Sequence, residues 1–104
     1  MFTSNAIVQQ HLLLLRLHCQ EWKSFFRTEI QERNRMGIRH QIEKSYYCSA
    51  HKNCFVTATL LRRQTRELWE LKISYQEKRT FLSDRQSRQM SDSLEVLRRS
   101  GFLF

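Results

Sequence analysis

Every seventh residue between Tyr47 and Leu82 is apolar or aromatic, and no glycine or proline interrupts that stretch. Seven residues make about two turns of an α-helix, so the pattern predicts a long amphipathic helix. The whole chain holds two glycines and no proline. Because sheet folds need turn residues at short intervals, this shortage argues against them and predicts an all-α fold. The seven-residue series consists of Tyr47, Cys54, Leu61, Leu68, Tyr75 and Leu82.

A second apolar pattern predicts a first helix over about 6–36. Its apolar residues recur in steps of four and three, which is the rhythm of a coiled-coil seam. Basic residues precede Gly37, and glycine suits the left-handed position that follows a helix end. We therefore expect the chain to turn within 34–39. A helix that continues through Gly37 is the alternative, at a cost of about 1 kcal/mol. The seam consists of Val8, Leu12, Leu15, Cys19, Trp22 and Phe26.

The second helix is predicted over about 38–88, with a kink near 48–54, where weaker helix formers cluster. Capping signatures that begin at Ser83 and Asp92 allow a short third helix over about 92–100, which Gly101 would end. A chain of 104 residues forms one domain at most. The predicted fold is therefore a single all-α domain: an elongated, coiled-coil-like antiparallel helical hairpin with a short third helix at its C-terminus.

Eighteen basic and ten acidic side chains give a formal net charge of +8. A field of this sign favours acidic partners, and the planar donor fork of arginine suits carboxylates and phosphates. The chain also has more apolar residues than one seam buries, so we expect contacts with a partner protein or a second copy. Trp, Tyr and Arg are enriched at binding hot spots. The predicted partner contacts are Trp22, Phe26, Arg62, Arg66, Trp69, Tyr75, Phe102, Leu103 and Phe104.

The sequence contains no glycine-rich phosphate loop, no His-Glu-x-x-His and no nucleophile elbow. We therefore expect a non-enzymatic structural or adaptor subunit without a cofactor, which docks through its apolar helix faces and arginine-rich surface on a larger acidic assembly. The alternative is a nucleic-acid-associated helical protein. A groove-reading basic helix is usually free of acids, whereas Glu67 and Glu70 lie within the basic run of this one.

Two short segments near the C-terminus carry a resemblance. Arg79-Thr-Phe-Leu82 and Leu97-x-x-x-Gly101 are similar to the C-terminal helices of small ciliary proteins that line axonemal microtubules. An acidic residue and a tyrosine are expected between these segments in that class, where this chain has Gln89 and Ser93. The resemblance is confined to 79–101, and it implies a cytoskeletal, microtubule-bound role in the cilium.

The three cysteines are an odd number, and no signal peptide precedes them, which predicts free thiols in a reducing, cytoplasmic compartment. We expect no membrane span, because the apolar run at 12–15 is far shorter than the roughly 20 residues that a span needs.

A zinc-stabilised hairpin is the third hypothesis. Cys48, His51 and Cys54 are spaced by three residues, and thiolate and imidazole are zinc ligands. With a turn near Gly37, residues whose numbers sum to about 73 would face each other in an antiparallel hairpin, so Cys19 would lie opposite Cys54. The spacing matches no common zinc module, and Cys19 and Cys54 also fit as small residues of the seams. The favoured interpretation is therefore that no metal binds.

Overall fold

The computed structural model describes the backbone of residues 2–50 and 54–101 and the side chains of residues 5–47 and 54–101. This part of the chain forms two α-helices and no strand. Helix α1 spans Phe2–Ala50 and helix α2 spans Cys54–Arg99. Their residues form two compact units: the terminal unit contains Met1–Phe26 and Lys78–Phe104, and the central unit contains Arg27–Glu77.

The two helices run antiparallel within each unit, as the contacts between them show. In the terminal unit, Trp22 Nε1 donates a hydrogen bond to Gln86 Oε1 at 2.7 Å. In the central unit, Gln64 Nε2 donates to the carbonyl oxygen of His40 at 3.0 Å. The residue numbers of such pairs sum to between 104 and 108. The predicted all-α antiparallel hairpin is thereby confirmed.

The predicted turn at Gly37 is wrong. Helix α1 passes through Gly37 and ends at Ala50, so the chain reverses between Ala50 and Cys54, near the predicted kink. The connecting residues 51–53 lie outside the described residues. A glycine inside a helix costs only about 1 kcal/mol. The contacts that α1 makes with α2 on both sides of Gly37 outweigh that cost.

The predicted third helix is not separate, because α2 continues to Arg99. Ser83 and Asp92, which begin the capping signatures, both lie inside α2. No glycine or proline breaks the helix there, and the Gln86 side chain contacts α1 instead of a helix start. The predicted end at Gly101 is confirmed: this residue has a φ of 85°, and its N–H donates to the carbonyl of Arg98 at 3.1 Å.

The buried residues of the hairpin include three polar pairs, which we call the polar layers. One member of each pair lies on α1 and the other on α2, and all six side chains are buried. Neighbouring members on one helix are eleven residues apart, which is three helical turns, so they return to the same face. The layers are His18 with Gln86 in the terminal unit, and Glu29 with Tyr75 and His40 with Gln64 in the central unit.

Few hydrophobic side chains accompany the polar layers. Among the described residues, four hydrophobic side chains are buried, namely Leu60, Tyr75, Leu82 and Leu97. All four belong to α2. Tyr75 and Leu82 of the seven-residue series therefore face α1, whereas Leu61 and Leu68 of the same series are exposed.

The position of Gly37 generates a prediction about stability. Nothing lies within 4 Å of the point that a Cβ on Gly37 would occupy, and the residue is inside a helix. We expect Gly37→Ala to raise the free energy of unfolding by about 0.5–1 kcal/mol, measured by urea denaturation. Gly101→Ala is the matched control. It is expected to lower stability, because the φ of 85° at Gly101 disfavours any side chain. A destabilising Gly37→Ala substitution would contradict the continuous α1.

Candidate partner-binding surface

Ion pairs connect α1 to α2 along one edge of the hairpin in each unit. In the central unit, Arg39 pairs with Glu67, and Arg63 pairs with Glu43. His40 Nε2 also donates to Glu67 Oε2 at 3.2 Å. This hydrogen bond, followed by the charges of Arg39 and Arg63, lowers the pKa of Glu67 from its ordinary value. These carboxylates are therefore engaged within the hairpin, which reduces the number of acids that face outward.

An equivalent edge in the terminal unit combines an ion pair with aromatic contacts. Arg85 pairs with Glu21 across the two helices. The rings of Trp22 and Phe26 stack with their centroids 5.5 Å apart, and the guanidinium carbon of Arg79 lies 5.9 Å from the Phe26 centroid. Trp22 also donates to Gln86, so it contributes to the hairpin itself. Phe26 remains exposed and is available to a partner.

The apolar seam predicted on the first helix mostly faces solvent. Leu12, Leu15 and Phe26 are exposed, and Cys19 is exposed as well. The cause is the position of the turn. With a turn near Gly37, this seam would have met residues 47–65, whereas the actual register brings it to 78–96, which is rich in Ser, Gln and Arg. Polar residues of α1 form hydrogen bonds with that polar segment. His18 Nε2 donates to Gln89 Oε1 at 2.8 Å, and the His11 ring hydrogen-bonds the Ser93 hydroxyl at 2.6 Å.

Large hydrophobic side chains are exposed along both helices. In the described part of the chain there are eighteen of them. In the central unit, the exposed residues of α1 include Ile30, Ile38, Ile42 and Tyr46, and most of these are four residues apart. An apolar recess of about 320 Å³ lies near the ends of α1 and α2. It is lined by Tyr47, Phe55, Val56, Thr59, Leu60 and Arg63.

Four residues on the outer face of α2 form what we call the arginine–tryptophan stripe: Arg62, Arg66, Trp69 and Ile73. They follow each other in steps of four, three and four, so they share one helix face. All four are exposed. Arg62, Arg66 and Trp69 are predicted partner contacts, and the structure places them on one surface with Ile73.

The remaining predicted contacts differ in their position. Tyr75 is only 3% exposed and is part of a polar layer, so its side chain lies inside the hairpin. The side chains of Phe102, Leu103 and Phe104 lie outside the described residues. The apolar periodicity of the sequence does not reveal the polar layers. The signal that reveals them is the spacing of eleven residues from His18 to His40 through Glu29 on α1, and its match on α2.

The register within the described parts of the two helices does not place Cys19 opposite Cys54, as the zinc hypothesis required. Cys19 belongs to the terminal unit and Cys54 to the central unit, and both thiols are free. The predicted facing of Cys19 and Cys54 is wrong, because residues opposite each other sum to 104–108 and not to about 73. His51 and the Cys48 side chain lie outside the described residues. Over the ranges that the structure covers, no three His, Cys, Asp or Glu side chains are grouped to hold a metal ion.

Neither described helix contains a stretch that is apolar enough over a sufficient length to cross a membrane.

No protein-family model matches this chain. No curated protein and no solved structure is significantly similar to it.

The hydroxyl of Tyr75, in the middle polar layer, has a raised pKa. Burial is the main cause that raises the pKa of Tyr75 to about 12, and the nearby carboxylates of Glu32 and Glu29 add to it. The neutral phenol is thus favoured in the folded state. The contribution to stability is complete below pH 10, the ordinary tyrosine value, and is lost as the pH rises towards 12.

The raised pKa of Tyr75 predicts a change in tyrosinate absorbance and in stability at high pH that depends on this residue. We expect the absorbance of tyrosinate to rise with one component near pH 12, and we expect that component to be absent from Tyr75→Phe. The free energy of unfolding of the wild type should fall by at most about 3 kcal/mol between pH 10 and 12. A Tyr75→Phe variant should lack this loss. Identical titration curves for the two proteins would contradict the buried position of Tyr75.

Proposed function

We propose that this protein is a non-enzymatic structural or adaptor subunit that docks on a larger acidic assembly. The observation that carries the proposal is the distribution of hydrophobic side chains. Only four hydrophobic side chains are buried in the described residues, whereas eighteen large hydrophobic side chains are exposed there. Exposed apolar surface of this extent is typical of a protein that acts within a complex.

The accessible surface supports the same conclusion. It amounts to 8480 Å². A folded monomer of this mass exposes about 6,200 Å². The difference, on the order of 2,000 Å², exceeds the roughly 800 Å² that each partner buries in a standard interface. Surface that a compact monomer of this mass would bury is thus open to a partner.

The charge of the chain favours an acidic partner. The formal net charge is +8, and several acids are already engaged by arginines at the hairpin edges. Arg62, Arg66 and Arg88 have no carboxylate within 4.0 Å among the residues that the structure describes. Such arginines attract an acidic surface. Polymerised tubulin is an acidic surface of this kind, and it is our specific candidate because of the resemblance at 79–101.

Light scattering and co-sedimentation together test the proposal. The isolated chain is expected to self-associate, with an apparent mass above 12.7 kDa that rises with concentration. The double variant Leu12→Gln/Leu15→Gln should associate less while keeping its helix content, because both side chains face solvent. The protein should also pellet with polymerised tubulin at low salt and be released at high salt.

The outcomes separate the general proposal from its specific form. A monodisperse monomer that does not pellet with tubulin would overturn both. Self-association without binding to tubulin would leave the docking function and remove the cytoskeletal assignment.

A further inference from the structure

We infer that the arginine–tryptophan stripe binds an acidic amphipathic helix of another protein. The inference rests on the proposed docking function, and it assigns the contact to Arg62, Arg66, Trp69 and Ile73. From its first to its last residue the stripe rises about 16 Å along α2, which is three helical turns. A helix laid along another helix contacts it through residues at this spacing.

The two arginines supply the positive charge of the stripe. Arg66 is four residues from Glu70, yet the two side chains form no ion pair. Neither Arg62 nor Arg66 has a carboxylate within 4.0 Å in the described ranges. Arg63, which lies between them in sequence, instead pairs with Glu43 at the hairpin edge. The same short segment of α2 thus directs one arginine to α1 and two to solvent.

The other half of the stripe supplies an apolar anchor. Trp69 is 60% exposed and Ile73 is 40% exposed. The ammonium of Lys72 lies 5.4 Å from the Trp69 ring centroid, which adds positive charge beside the ring. A large exposed tryptophan next to free arginines has the composition of an interface hot spot. The stripe therefore has a basic end at Arg62 and Arg66 and an apolar end at Trp69 and Ile73.

This division decides the chemistry of the partner. A helix that covers the stripe must present carboxylates to the arginines and apolar side chains to Trp69 and Ile73 within the same three turns. A nucleic acid would offer phosphates to the arginines but no aliphatic surface to Ile73. Charge complementarity and the apolar end together favour an acidic amphipathic helix.

Selection from a peptide library tests the inference with the full chain. The probe is a displayed library of 21-residue helix-forming peptides, in which leucines form a fixed apolar seam and each flanking position encodes Glu, Gln or Lys equally. Selection on the wild type is expected to enrich Glu at the flanking positions. The enriched peptides should bind Arg62→Gln/Arg66→Gln at least tenfold more weakly, and Trp69→Ala at least fivefold more weakly, in fluorescence anisotropy.

The matched control removes the same charge elsewhere. Arg16→Gln/Arg27→Gln also eliminates two exposed arginines, both of them on α1. Binding to this control should stay within twofold of the wild type. Circular dichroism should show that all variants keep their helix content, because the substituted side chains face solvent.

Several results would overturn the inference. They are the absence of any enrichment, an enrichment of Gln or Lys, and an equal loss of binding in the control variant. An oligonucleotide that competes with the peptides, together with full binding by Trp69→Ala, would assign the stripe to phosphate recognition instead. Self-association in light scattering with no enriched peptide would reject the stripe as the contact while the proposed docking function stands.

Discussion

Three buried polar pairs, repeated every eleven residues, determine how α1 and α2 face each other. In each pair the residue numbers sum to 104. A buried hydrogen bond contributes only about 1 kcal/mol to stability, whereas a buried polar group left without a partner costs about 1–3 kcal/mol. Sliding one helix along the other would break both the hydrogen bond of Gln86 to the His18 carbonyl and that of Gln64 to the His40 carbonyl. The polar layers therefore act mainly by making every other alignment unfavourable, as buried polar residues do in some coiled coils.

The exposed apolar residues follow from this arrangement. Once His18 and Gln86 face each other, the neighbouring leucines of α1 are directed to the sides of the hairpin. The ion pairs of Glu21 with Arg85 and of Glu43 with Arg63 close one edge of each unit. What remains for a partner is a set of hydrophobic side chains and arginines without acids nearby. A hairpin that exposes more large hydrophobic side chains than it buries, in the residues described, is suited to being one component of an assembly.

The fold class could be predicted from the sequence because it depends on local properties. The lack of proline, the scarcity of glycine and the helical spacing of apolar residues act within one or two turns. The same holds for the helix end at Gly101. The position of the turn could not be predicted this way, because the penalty at Gly37 is about 1 kcal/mol. Contacts between residues far apart in sequence outweigh it, and those contacts exist only after the helices have paired.

The candidate site was partly predictable for the same reason. Arg62, Arg66 and Trp69 share a face of α2 through local helical spacing, so sequence alone places them together. Tyr75 belongs to the same helix, but its burial depends on the pairing with α1, where Glu29 and Glu32 lie close enough to raise its pKa. Apolar periodicity identified Tyr75 without indicating whether it faces the other helix or a partner. The eleven-residue spacing of the polar residues carries that information.

Chemical cross-linking directly tests which residues of α1 lie opposite which residues of α2. In a background in which Cys19, Cys48 and Cys54 are replaced by Ser, we expect Glu43→Cys/Arg63→Cys to be joined within one chain by a short reagent that links two thiols. The variant Glu21→Cys/Arg85→Cys should be joined in the same way. In the native sequence, Cys19 and Cys54 should not be linked within one chain. Efficient linkage of Cys19 to Cys54, with none between the introduced pairs, would show a turn at Gly37 and contradict the polar layers.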